Sequence, residues 1–146
     1  MKSLDVSHNW LTQVTLTGCS SLTDVNVSHN ILTSIDLTGC VAIERLNVSR
    51  NRLTELTLAD VPMIKNLDCS HNLFVDLNVS GALNLVTLNC QDCRLENLLV
   101  DGCTALKNLY CSFNRLTSLN LIGVQNLSVL SVEDNRISTM LISGLP

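Results

Sequence analysis

Aromatic side chains are scarce in this sequence, at 3% of residues, so any core has to be aliphatic; hydrophobic residues, at 46%, are numerous enough to build one. A basic excess is also missing. The net charge is −4 and the isoelectric point is near 5.1, which argues against a general nucleic-acid binder, whose partner is a polyanion. No apolar run approaches the roughly 18 residues that a membrane-spanning helix needs, so membrane insertion is not expected. The N-terminal MKSLDVSHNW has no hydrophobic segment of the kind a secretory signal carries. The expectation is a cytoplasmic protein if the chain is complete, and a cell-surface or secreted one if it is a fragment of a longer protein. The seven cysteines cannot all pair within one chain, because their number is odd. By length the chain is a single domain, residues 1–146.

What the sequence does have is a period. LDVSHNWLTQVTLTGCSSLTD begins at Leu4 and VNVSHNILTSIDLTGCVAIER at Val25. Further copies begin at Leu46, Leu67, Leu88, Leu109 and Leu130. The spacing is 21 residues without insertion or deletion, giving six full repeats and a shortened seventh. Position 1 of the repeat is always Leu or Val. Position 3 is Val6, Val27, Val48, Cys69, Cys90, Cys111 and Val132. Position 6 is Asn9, Asn30, Asn51, Asn72, Asn114 and Asn135, with Cys93 the exception. All six glycines share position 15, where Asp60 is the one departure.

Apolar residues two apart, at positions 1 and 3 and again at 11 and 13, carry strand periodicity. Each coil is therefore expected to hold two short strands on opposite sides of a flattened loop. Successive coils stack as parallel strands about 4.8 Å apart. Glycine at position 15 fits a turn with positive φ, a conformation that Asp60 also tolerates. An Asn beside an apolar interior must find partners for its amide, and backbone groups of its own and the adjacent coil are within reach. Position 6 is thus read as a structural ladder.

The segment from Leu22 to Leu32, L-x-x-V-x-V-x-x-N-x-L, matches the leucine-rich repeat signature, which accepts Asn or Cys at the ladder position. The following TSIDLTGC resembles the bacterial 21-residue subclass sometimes called IRREKO. The resemblance covers residues 4–146. It implies a β-rich solenoid, a right-handed coil or horseshoe with little or no helix, serving as an elongated binding module and bringing no catalytic residues. The chain then reads as part of a longer array.

Several motifs suggest chemistry, and the repeat absorbs most of them. Cys90-Gln-Asp-Cys93 has the spacing of a redox pair or half a zinc site. However, Cys90 occupies inward position 3 and Cys93 the ladder, and no second ligand pair has zinc spacing. Cys19, Cys40 and Cys103 share position 16, also read as inward. Asp68, Ser70 and His71 could be written as a hydrolytic triad, yet serine fills position 4 in other coils as short polar filler, and nothing supplies an oxyanion hole. His8 and His29, in adjacent coils, make an incomplete metal site. The N-x-S sequons at Asn26, Asn47, Asn78 and Asn126 follow from repeat composition. No cofactor is expected.

The outward residues of the first strand, read as positions 2, 4 and 5, form the candidate ligand face: His71, Asp92, Tyr110, Phe113 and Asp134, with Arg115 at the neighbouring edge. Tyr110 and Phe113 break the polar pattern of their columns, and exposed aromatics anchor interfaces. The expected function is non-catalytic binding of a protein or glycan on this face. The rival is a structural spacer or scaffold segment of a larger surface or secreted adhesin-like protein. Sparse capping residues also raise the prospect of end-to-end self-association.

Overall fold

A computed structural model describes residues 1–144; Leu145 and Pro146 lie outside the described residues. The chain is a β-solenoid of seven coils with parallel strands and, among the described residues, no helix. In chain order the strands are β1 Ser3–Asp5, β2 Asp24–Asn26, β3 Arg45–Asn47, β4 Asn66–Asp68, β5 Asp76–Asn78, β6 Thr87–Asn89, β7 Asn97–Leu99, β8 Asn108–Tyr110, β9 Ser118–Asn120, β10 Val129–Ser131 and β11 Thr139–Leu141. The order β1-β2-β3-β4-β6-β8-β10 makes one continuous parallel sheet. Its register is the repeat itself: Leu4 faces Val25, Val25 faces Leu46, and Leu88 faces Leu109.

In each of these strands the inward residue at position 1 has one outward neighbour on either side, polar in every case but Val129. Position 3 then turns inward again. Leu46, Leu67, Leu88 and Leu109 at position 1 are buried, as are Val27, Val48, Cys69, Cys90 and Cys111 at position 3. Phe74 is the largest fully buried side chain. The core is a single aliphatic column running the length of the stack. A fully buried side chain of this class contributes about 1.5–3 kcal/mol, so the middle coils carry most of the apolar stabilisation. The terminal coils, whose Leu4, Val6, Leu130 and Val132 are only partly buried, carry less.

The asparagine ladder is present and its bonding is explicit. Asn72 Nδ2 donates to Val48 O (3.0 Å) in the preceding coil and to Cys69 O (3.0 Å) and Ser70 O (3.3 Å) in its own. Its Oδ1 accepts from Leu53 N (2.9 Å). Asn30, Asn51, Asn114 and Asn135 repeat the pattern across the coil boundary. Asn9, in the first coil, bonds only its own coil, at Val6 O and Ser7 O. Cys93 does part of the work: its one S–H is shared between Cys69 O and Gln91 O, both at 3.3 Å. A thiol in that place offers no oxygen to Phe74 N–H, which is the counterpart of Leu53 N–H. The backbone bond from position 7 to the preceding coil, made by Arg52, Leu73, Arg115 and Arg136, is not made by Arg94. Arg94 is also the one position-7 residue with positive φ, at 67°.

The second strand differs from expectation. It forms only in coils four to seven, where β5 pairs with β7 and β9 with β11. Coils one and two share a single bridge, Thr15 to Asp36, and coil three has none. The turn at position 15 accounts for coil three. The glycines there have positive φ, between 71° and 87°, as a type II turn requires of its third residue. Asp60 does not have positive φ, contrary to the sequence reading, although Val61 N still closes the turn onto Leu58 O at 3.1 Å. Negative φ at that residue is the type I solution, and going from type II to type I reverses the central peptide. Gly18 N donates to Thr38 O and Gly81 N to Asp101 O, both at 2.7 Å. With its central peptide reversed, the coil-three turn cannot take either part in this bond, and no backbone pairing links coil three to its neighbours on that side. Pairing also lapses between coils five and six, where the glycines offer no reason.

Candidate functional site

The sheet exposes two columns of side chains, one on each side of inward position 1. The leading column is Ser3, Asp24, Arg45, Asn66, Thr87, Asn108 and Val129. The trailing column is Asp5, Asn26, Asn47, Asp68, Asn89, Tyr110 and Ser131. Together they floor a concavity of about 440 Å³ that runs from β1 to Tyr110 on β8. The trailing side chains are fixed from below. Asp68 Oδ1 accepts from Ser70 N (3.1 Å) and Ser70 Oγ (2.7 Å). The same short-range bond joins Ser7 to Asp5, Ser28 to Asn26, Ser49 to Asn47 and Gln91 to Asn89.

Charge on this face is concentrated in coils one to three. Arg45 bonds Asp24, and its guanidinium, together with Thr23, holds the Asp24 carboxyl below the ordinary range. Asp5 is lowered by the hydroxyl and N–H of Ser7, with help from Asn26. Beside the sheet Lys65 pairs with Glu44 at 3.0 Å. In coil seven, hydrogen bonding by Ser112 lowers the Glu133 carboxyl.

Positions 4 and 5 are not outward strand residues. The strand ends at position 2, and the serines of position 4 turn inward: Ser28, Ser49, Ser70 and Ser112 are buried. Position 5 is the left-handed residue of the following turn in all seven coils, at φ between 52° and 58° for His8, His29, Arg50, His71, Asp92, Phe113 and Asp134. Histidine and aspartate are among the residues that tolerate this region, a signal the sequence offered. Phe113 is the bulky outlier, and its side chain is 58% exposed.

The six candidate ligand residues therefore fall into three groups. His71, Asp92, Phe113 and Asp134 follow one another along the left-handed column. His71 Nδ1 and Asp92 Oδ2 meet at 2.9 Å. Tyr110 stands alone on the concave floor. Arg115 is exposed on the position-7 edge with Arg52, Arg94 and Arg136. Sequence reasoning passed over the leading column, Asn66 and Thr87 above all, although period two about position 1 implies it.

The remaining motifs resolve as structure. Ser70 donates to Asp68 while His71 pairs with Asp92, so no Ser–His bond forms and the triad does not assemble. His8 and His29 stack with centroids 4.0 Å apart and planes 18° apart. Desolvation, then the charges of His8, Arg50 and His71, lower the His29 imidazole. Among the described residues no group of three or more His, Cys, Asp or Glu is arranged to hold a metal ion. All seven cysteines are free, and six are buried; Cys19, in the terminal coil, packs against the core but is partly exposed. Burial pushes the Cys69 and Cys90 thiols well up and those of Cys93 and Cys111 to about 12. A reactive cysteine needs the opposite shift.

Among solved structures the chain is similar to the functional domain of InlJ from Listeria monocytogenes, described as including a cysteine ladder. The TM-score is 0.72 and the identity 24%, over 94% of this chain and 36% of that one. The fold is that of the leucine-rich repeat. No protein-family model and no curated protein matches the chain. This leucine-rich repeat solenoid spans about a third of the InlJ chain it matches. It stacks three cysteines in successive coils, Cys69, Cys90 and Cys111.

Proposed function

We propose that this solenoid is a non-catalytic interaction module that holds a macromolecular partner on the concave face of the first-strand sheet. One observation carries the reading: a concavity of about 440 Å³ whose floor is built from outward side chains of successive coils. Repeat solenoids present such extended concave surfaces for binding. Tyr110 supplies the anchor on this floor. Phe113, with His71, Asp92, Asp134 and Arg115, forms a rim outside it.

The test is capture of partners from the source organism, followed by affinity measurements on separate variants. Tyr110→Ala probes the floor and Phe113→Ala the rim. Thr54→Ala/Glu55→Ala, exposed residues of coil three away from the sheet, serve as control. Truncating an aromatic anchor costs about 2 kcal/mol or more, while rim contacts cost far less. Loss with Tyr110→Ala alone is the expected result. Unchanged affinity in both variants, with the fold intact, overturns the reading in favour of a spacer.

A further inference from the structure

We infer that the occupant of the concave face is an uncharged glycan chain lying across coils four to six. This rests on the proposed use of that face and goes further, to the chemistry of the ligand. Over these coils the floor consists of Asn66, Asp68, Thr87, Asn89, Asn108 and Tyr110. One of the six is charged. Polyanions find no free cation among the lining residues, since Arg45 is engaged by Asp24. Protein interfaces are anchored by aromatic, Met and Arg side chains, and this floor offers Tyr110 alone. Short amides, a carboxylate and a hydroxyl are instead the groups that pair with vicinal sugar hydroxyls.

Their hydrogen-bonding capacity is arranged for such a ligand. The Oδ1 atoms of Asp68 and Asn89 are occupied by the N–H of Ser70 and Gln91, which fixes both side chains. Among the described residues Asp68 Oδ2 and Asn89 Nδ2 have no partner. Neighbouring coils thus present a free acceptor and then a free donor, on side chains whose orientation is already set, so little rotamer freedom is lost on binding. Asn66 adds an unengaged amide, while Asn108 Nδ2 and Thr87 Oγ1 hold each other at 3.2 Å. Tyr110 closes the row with an aromatic ring, against which the apolar face of a pyranose can pack. The coil spacing of about 4.8 Å is similar to the advance per sugar of an extended pyranose chain, so successive sugars meet successive coils.

The experiment is calorimetric titration of the whole chain with neutral oligosaccharides, hexamers of glucose, mannose, xylose, galactose and N-acetylglucosamine. A hyaluronan oligomer and a lysine-rich peptide are the charged comparisons. Saturable binding of a neutral hexamer, with neither charged probe binding, is expected. Asn89→Asp and Asp68→Asn keep Oδ1 for the turn and exchange the free donor and acceptor; the column already holds both residue types, so the fold is retained. Each is expected to weaken binding roughly three- to ten-fold, and Tyr110→Ala to weaken it further. Failure of every neutral hexamer overturns the inference, as does binding indifferent to these variants. If sugars fail but a captured protein binds in a Tyr110-dependent way, the glycan is wrong and the concave face stands. If sugars fail and no captured partner depends on Tyr110, both readings fall.

Discussion

At the scale of single residues, one column decides how well two coils hold together. An Asn at position 6 satisfies carbonyls of two coils and one N–H of the preceding coil, and Asn72 is buried while doing so. Asn72→Ala is expected to cost about 1–3 kcal/mol through stranded buried groups, read from the chemical denaturation midpoint. Cys93→Asn runs the other way. It returns an acceptor to Phe74 N–H and lets Arg94 leave the left-handed region, so a gain of about 1–3 kcal/mol is expected. An unchanged midpoint would show that Cys93 already suffices. The buried thiols make a second prediction, about pH. Cys93 and Cys111 ionise near their ordinary 9.0 when unfolded and at about 12 when folded. Their contribution is complete below about pH 9 and declines as pH rises towards 12, because the unfolded chain releases the proton first. Stability should therefore fall as pH rises from about 9 towards about 12. Cys111→Val, which installs the residue other coils carry at position 3, should lessen the fall. The ladder and the inward cysteines were legible in the sequence because a polar or small residue fixed at one phase of an apolar period has few places to go. Left-handed position 5 was legible only in part: His and Asp tolerate that region, but Arg50 and Phe113 in the same column mask the signal.

At the scale of elements, the first strand follows from alternation and the second does not. Positions 11 and 13 carry the same apolar alternation as positions 1 and 3, yet pairing fails around coil three. Strand formation there depends on the orientation of a peptide group in the adjoining turn, and composition shows only the difference between Gly and Asp. Asp60→Gly tests this directly. Glycine permits positive φ, the central peptide turns over, and Gly39 and Ser80 gain backbone partners in coil three. We expect a rise in β-signal by circular dichroism and slower amide exchange at residues 39 and 60. Exchange rates identical to the parent would mean that the turn is not what interrupts the sheet. The candidate face was taken from the first strand, but its membership was extended past the strand end. Three-residue strands leave no room for outward positions 4 and 5.

At the scale of the whole molecule, each coil touches only its neighbours, so stability is a sum of coil and junction terms. The two terminal coils each lack one junction. Leu4, Val6, Leu11 and Val14 at one end, and Leu130, Val132, Ile137 and Met140 at the other, are only partly buried, and β1 and β10 each keep an unpaired edge. Parallel edges of matching register invite end-to-end stacking of a second copy. Light scattering of the isolated chain is expected to show mass rising with concentration, and a constant monomer mass would count against it. The solenoid, its period and its axis were legible because seven copies of one pattern admit few stackings. The uneven pairing along its far side was not: around coil three it turns on the single departure Asp60, and between coils five and six no residue accounts for it.

That uneven pairing has a mechanical consequence. One side of the stack is a continuous sheet of seven strands, whereas the other is tied only in couples. Under tension along the axis, the far side is expected to open at the untied junctions first. The intact sheet then yields one strand at a time, because the load pulls its interstrand bonds apart in sequence instead of shearing them together. A tether with these properties is compliant over small extensions, and on its concave side it curls more tightly as the far side spreads.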